Sequence, residues 1–134
     1  NFDFITFGAV LEHLSDPSAS IQRAVQWLKP NGIIHIEVPS SKWLISKVYN
    51  LYYKIILTNY VTNTSPMHAP FHLYEFGLKS FVENAKKNNY TLVEYQYHVC
   101  QTGMPKIIDF FIRPFMKATN TGLQLTVWLR KNKD

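Results

Sequence analysis

The chain has 134 residues and a mass of 15.6 kDa; 46% of its residues are hydrophobic and its formal charge is +5. This describes one compact domain, or part of one, with enough apolar residues for a core, and excludes disorder over most of its length. A single cysteine, Cys100, excludes an internal disulfide, and the absence of a Cys/His spacing pattern around it argues against a structural zinc site.

The fourteen Lys and Arg are scattered, which favours a solvated basic surface over a nucleic-acid face. No stretch approaches the roughly 18 uncharged apolar residues of a membrane span, and the amino terminus carries an acid where a signal peptide would be basic. A cytoplasmic protein is therefore expected. Residues 2–9, FDFITFGA, are apolar on both faces, the pattern of a strand covered on each side by helices. In SDPS, Ser15 or Asp16 can cap exposed amides and Pro17 suits a first helical turn. Ile21, Ala24, Val25 and Leu28 recur at helical spacing and predict an amphipathic helix over 17–28. KPNG at 29–32 should end it in a turn, because proline cannot continue the ladder and Asn-Gly takes left-handed conformations. IIHIEVP, stopped by Pro39, is a second strand, so the unit is βαβ with a parallel pair.

Residues 42–57 have helical length but are apolar nearly all round, with Trp43, Tyr49, Tyr52 and Tyr53 adding aromatic bulk. An irregular stretch follows, from Thr58 to His72. A second amphipathic helix is predicted from Leu78 to Lys87, with Leu78, Phe81, Val82 and Ala85 on one face and Asn88-Asn89 closing it through a left-handed residue. TLVEYQYHV is a third strand. Residues 103–118 are broken by Pro105 and Pro114 and predict a short apolar helix between the two prolines. In GLQLTVWLR, Leu123, Leu125, Val127 and Leu129 alternate with Gln124, Thr126, Trp128 and Arg130, a last strand with one buried face.

Three motifs in order, FDFITFGAVLEHLSDP, LKPNGIIHIEVP and HLYEFGLKSFVENAKKNNYTLVEY, resemble the carboxy-terminal half of class I, Rossmann-like S-adenosylmethionine-dependent methyltransferases. The resemblance covers nearly the whole chain. It implies an α/β fold of about four strands, mostly parallel with the last antiparallel, flanked by helices in a single partial domain over 1–134. Members of this family hold S-adenosyl-L-methionine with a glycine-rich loop after the first strand and an acid after the second. Neither is present here: the five glycines, at 8, 32, 77, 103 and 122, are far apart. The expectation is a fragment that starts at the family's fourth strand, binds the cofactor only with a missing amino-terminal half, and is inactive alone.

By the same resemblance, Phe7, Gly8 and Ala9 stand where the family's backbone approaches the methionine part of the cofactor, and Glu12 and His13 match its EH pair. A histidine there can accept the proton of a substrate hydroxyl; the plainer readings are a structural hydrogen bond for His13 and a helix anchor for Glu12. His72 and Tyr74 match an H-x-Y pattern in the family's loop over the substrate, or pin that loop to the sheet. No metal is expected, because the loop spacing of His13, His68 and His72 imposes no ligand geometry.

Segments 40–72 and 103–118 fall where the family carries substrate-selecting insertions. Their aromatic residues suit the wall of a hydrophobic acceptor or a membrane surface, with Lys47, Lys54, Lys106 and Arg113 toward anionic headgroups. Burial in a dimer interface or against the core is the favoured alternative. An apolar first strand with a bare edge should pair with another copy, giving a homo-oligomer, or with the missing half. The expected function is methyl transfer to a small-molecule acceptor, with an oxygen nucleophile favoured. Its rival is a non-catalytic interaction module on the same scaffold. An RNA-modifying role is weaker, since no clustered basic patch or stacking motif is present.

Overall fold

The computed structural model describes residues 1–62 and 71–132. In chain order its elements are β1 (Phe2–Gly8), a one-turn 3-10 helix (Leu11–His13), α1 (Pro17–Trp27), β2 (Leu28–Pro39), α2 (Leu44–Ile55), α3 (Leu78–Ala85), β3 (Tyr90–His98), α4 (Lys106–Thr119) and β4 (Gln124–Lys131). The four strands form one sheet in the order β1-β2-β4-β3. β1 and β2 are parallel, and β4 runs antiparallel to both β2 and β3. Three strands therefore share a direction and the last is reversed, as the sequence leads one to expect.

The βαβ unit follows from local chemistry. Asp16 accepts the Ala19 N–H at 2.9 Å and Pro17 occupies the first turn of α1, which satisfies an amide that the helix itself leaves unpaired. Ile21, Ala24 and Val25 are buried on its inner face. KPNG is not a turn ahead of the strand, however. Asn31 does take a left-handed φ of 63°, yet β2 already starts at Leu28, and the register with β1 jumps from Phe2↔Leu28 to Phe4↔Ile33. The segment is thus a bulge inside β2. Glycine is needed there because a β-carbon at Gly32 would lie 3.0 Å from the Lys29 carbonyl oxygen and 3.1 Å from that of Phe2.

The core lies on one face of the sheet. Ile34, Ile36 and Val38 of β2 and Leu125, Val127 and Leu129 of β4 pack with Ile21, Ala24 and Val25 of α1 and Phe81 of α3. Ile5 and Phe7 of β1 lean on the same cluster, partly buried. Phe2 and Phe4 do not: they are 56% and 55% exposed, so β1 lacks the cover on both faces that its apolar pattern suggests.

Three further differences from the sequence reading have identifiable causes. Val82 is exposed, leaving Phe81 as the residue of α3 that is fully inserted. α3 ends at Ala85, and the positive φ angles among non-glycine residues fall elsewhere; Asn88 instead donates its side-chain amide to Asn84 Oδ1 at 2.9 Å. α4 runs through Pro114 to Thr119, closed by Asn120 at φ 54°. A proline removes one N–H from the ladder, and the turns on either side keep theirs.

Candidate active site

β1 and β2 end side by side, and β4 begins there because it runs the other way. A cavity of about 370 Å³ opens at this point, lined among others by Ala9, Glu12, Glu37, His72 and Gln124. In open α/β sheets this is where ligands bind, outside the carboxyl ends of the strands.

The turn after β1 builds the floor. Ala9 takes a left-handed φ of 50° and donates its N–H to the Glu37 carbonyl at 3.0 Å. Such a φ is strained for a residue with a β-carbon. The chain then coils into the 3-10 turn, which buries Leu11 and leaves Glu12 only 1% exposed. Glu12 Oε1 lies 4.0 Å from His13 Nε2, while Oε2 is buried with no hydrogen-bond partner among the described residues.

A distant segment is strapped across this turn. Leu73 donates its N–H to the Glu12 carbonyl at 2.8 Å, and His13 Nδ1 lies 3.2 Å from the Phe71 carbonyl, to which it donates. The strap sets the His72 ring 4.9 Å from that of His13, edge to face. Glu12, His13 and His72 each offer one atom capable of binding a metal, and these atoms lie within 4.8 Å of one another.

Not every residue singled out in the sequence comes here. Phe7 packs toward the core. Gly8 has nothing within 4 Å of the position a β-carbon would take, so open space lies beside it. Tyr74 donates its hydroxyl to the Ser15 carbonyl at 3.2 Å and lines a separate hollow with Ser15 and Phe76. His68 lies outside the described residues. Sequence reasoning grouped His13 and His72 with His68 and passed over Glu12 as a third ligand-capable group. It also missed Glu37 and Gln124, which reach the cavity as polar residues at strand ends converging on one rim.

The two aromatic segments stay away from the core on their outer sides. α2 exposes Leu51, Tyr52 and Ile55, and α4 exposes Ile107, Phe110 and Phe111. The expectation that they are buried against the core fails for these faces. Lys106, Arg113 and Lys117 line a shallow hollow beside Phe110. Among the described residues no helix is long and apolar enough to cross a membrane.

A family model described as a methyltransferase domain matches residues 1–95. No curated protein matches the chain. Among solved structures, a SAM-dependent methyltransferase from Methanosarcina mazei is 18% identical with a TM-score of 0.62, over 99% of this chain and 60% of its own. A candidate S-adenosylmethionine dependent methyltransferase from Listeria monocytogenes is 12% identical with a TM-score of 0.62, over 98% and 62%. The [4+2]-cyclase SpnF is 13% identical with a TM-score of 0.57, over 99% and 50%. The chain thus spans less than two thirds of the length of each of these structures. At such identities the likeness shows a shared fold, and SpnF illustrates that one fold carries more than one chemistry.

Proposed function

The chain belongs to the methyltransferase-domain family, and on that premise we propose that it forms the acceptor side of an S-adenosylmethionine-dependent methyl transfer to an oxygen nucleophile on a small molecule. One observation carries the reading: a buried carboxylate, Glu12, and an imidazole, His72, converge with His13 beside one cavity at the carboxyl ends of β1 and β2. When bound, S-adenosylmethionine supplies the methyl group as a sulfonium. His13 or His72 assists the acceptor by taking its hydroxyl proton, a task open to an imidazole nitrogen that carries no hydrogen. The Nδ1–H bond from His13 to Phe71 leaves Nε2 as the accepting nitrogen.

The residues present suit the methyl end of the donor. Open space lies beside Gly8, and Ala9 lines the adjoining cavity. They do not supply a grip on the rest, since no glycine-rich loop and no ribose-binding acid occur in the sequence. The reading therefore includes a longer protein whose amino-terminal half holds the cofactor, with Tyr74 holding the loop that carries His72. The exposed aromatic faces of α2 and α4 suit an apolar acceptor or a membrane surface that presents it. A second reading, a non-catalytic module that self-associates, is favoured by the exposure of Phe2 and Phe4 along β1.

Two measurements test the first reading. Calorimetry with S-adenosylmethionine should show no binding to the 134-residue chain and clear binding to the longer protein; tight binding by the short chain would overturn the account of the missing half. The longer protein should transfer labelled methyl groups to hydroxylated small molecules, with His72→Ala slowing turnover by about 10²-fold or more. Turnover unchanged in both His13→Ala and His72→Ala would remove the two histidines from the reaction.

A further inference from the structure

We propose that Glu12, His13 and His72 bind a divalent first-row transition-metal ion whose remaining coordination positions open into the cavity. The three ligand-capable atoms already lie within 4.8 Å of one another. Around a zinc-sized ion with bonds of about 2.0–2.2 Å, neighbouring ligand atoms stand roughly 3–3.5 Å apart, so a small contraction of side chains closes the site.

Glu12 is the strongest reason to expect an ion. Its carboxylate is 99% removed from solvent, and Oε2 has no hydrogen-bond partner among the described residues. Within the same residues its one ion pair is the 4.0 Å approach to His13 Nε2. A buried carboxylate in that state is costly unless a cation or a set of donors meets it. A divalent ion held between Glu12 and the two imidazoles supplies the missing positive charge.

The surroundings of His13 are those of a metal ligand. Its Nδ1–H is engaged by the Phe71 carbonyl at 3.2 Å, which turns Nε2 toward Glu12. Such a bond to the far nitrogen is the usual means of orienting a ligating histidine. The bond from the Leu73 N–H to the Glu12 carbonyl ties the same two segments a second time, so the constellation rests on paired backbone.

Two imidazoles and one carboxylate suit Zn²⁺, Mn²⁺, Fe²⁺ or Co²⁺, whereas Mg²⁺ and Ca²⁺ prefer sites built from oxygen. Three protein ligands leave at least one position free, the pattern of reactive sites. Because Glu12 and His72 line the cavity, that position faces it. Its use by an acceptor oxygen rests on the methyl-transfer reading above; there the histidines would assist the acceptor by carrying the ion, which would make the bound hydroxyl more acidic, and its proton would pass to water in the open cavity. Binding of the ion does not depend on that reading.

The test is titration of the 134-residue chain with Zn²⁺ and Mn²⁺ by calorimetry, with Co²⁺ absorption reporting the ligands. One ion per chain is expected, with affinity at least tenfold weaker in both Glu12→Gln and His72→Ala. His35→Ala, a histidine on the other face of the sheet, should bind as the parent does. Thermal melts identify any variant that fails to fold, and either of the first two then suffices. No binding at millimolar ion, or equal binding by the parent, Glu12→Gln and His72→Ala, would overturn the site. In the longer protein, ion binding without methyl transfer would sink only the reaction; His72-dependent transfer in a metal-free form of it would sink only the ion's part in it.

Discussion

The two faces of this sheet are made from the same strands and differ in what covers them. On one, Ile34, Ile36, Val38, Leu125, Val127 and Leu129 are wholly or almost wholly removed from water beneath α1 and α3. On the other, Phe4, His35 and Trp128 form a partly exposed row, with ring centroids 6.1 Å apart for Phe4 and His35 and 5.3 Å for His35 and Trp128. His35 also meets the Thr6 hydroxyl at 3.1 Å and Glu37 at 3.7 Å. The first face is held by apolar burial and the second by polar and aromatic contacts that tolerate water. The difference separates what makes the chain fold from what it leaves available to bind.

The largest expected effect comes from cutting into the covered face. Ile36→Ala removes buried carbon from the middle of the cluster and should lower the unfolding free energy by about 2–5 kcal/mol in urea titrations. His35→Ala, the adjacent residue on the other face, should cost less than about 1 kcal/mol. Equal losses would mean that the second face is as closely packed as the first, and the contrast would fail.

A smaller effect is expected at Tyr90. Its side chain is buried with the core, and its hydroxyl donates toward the Phe81 carbonyl at 3.1 Å and Asn84 Oδ1 at 2.9 Å. Tyr90→Phe should cost about 1–2 kcal/mol near neutral pH. Burial also pushes the Tyr90 hydroxyl well above the ordinary tyrosine range, so the unfolded chain gives up this proton first. Stability from this group is complete below the ordinary tyrosine pKa near 10 and declines as pH rises beyond it, by at most about 1.4 kcal/mol per unit. Urea midpoints across the alkaline range should fall less steeply in Tyr90→Phe. Some slope should survive, because burial raises Tyr97 as well. An identical slope in parent and variant would place Tyr90 in a wetter setting than the rest of its face.

How much of this could be read beforehand depends on the range of the interactions. The Asp16 cap and the Ile21-Ala24-Val25 stripe are written within a few residues each and appear in the structure, and the alternation of β4 appears except at Thr126, which is buried although it stands on the face expected to be wet. The site was legible only as motif order. Glu12 and His13 adjoin in sequence, but their meeting with His72 depends on the hydrogen bonds that tie Phe71 and Leu73 to the 3-10 turn, and no local pattern encodes those. The course of α4 through Pro114 was hidden because a proline signals a helix end in isolation, while the intact turns around it decide otherwise. The bare edge of β1 was legible, whereas the exposure of Phe2 and Phe4 on its face was hidden, because an apolar strand announces a need for cover and does not say what supplies it.

The smallest effect on stability, and the sharpest on assembly, is expected at Phe4. β1 is the end strand of the sheet, paired on one side with β2, and Phe2 and Phe4 are more than half exposed along it. An uncovered apolar edge is a template for association. Sedimentation should show oligomers whose share grows with protein concentration, and Phe4→Lys should shift them toward monomer. Because Phe4 lies outside the covered cluster, the same substitution should change the urea-derived stability of the monomer by no more than about 0.5 kcal/mol. Oligomers that persist in Phe4→Lys but dissolve in Leu51→Lys would move the contact to α2, whose Leu51 is also exposed. A parent chain that is monomeric at every concentration would show that the open face is quiet by itself. Its row of Phe4, His35 and Trp128 would then be a surface adapted to water, and the inequality between the two faces would reflect polarity and not a missing partner.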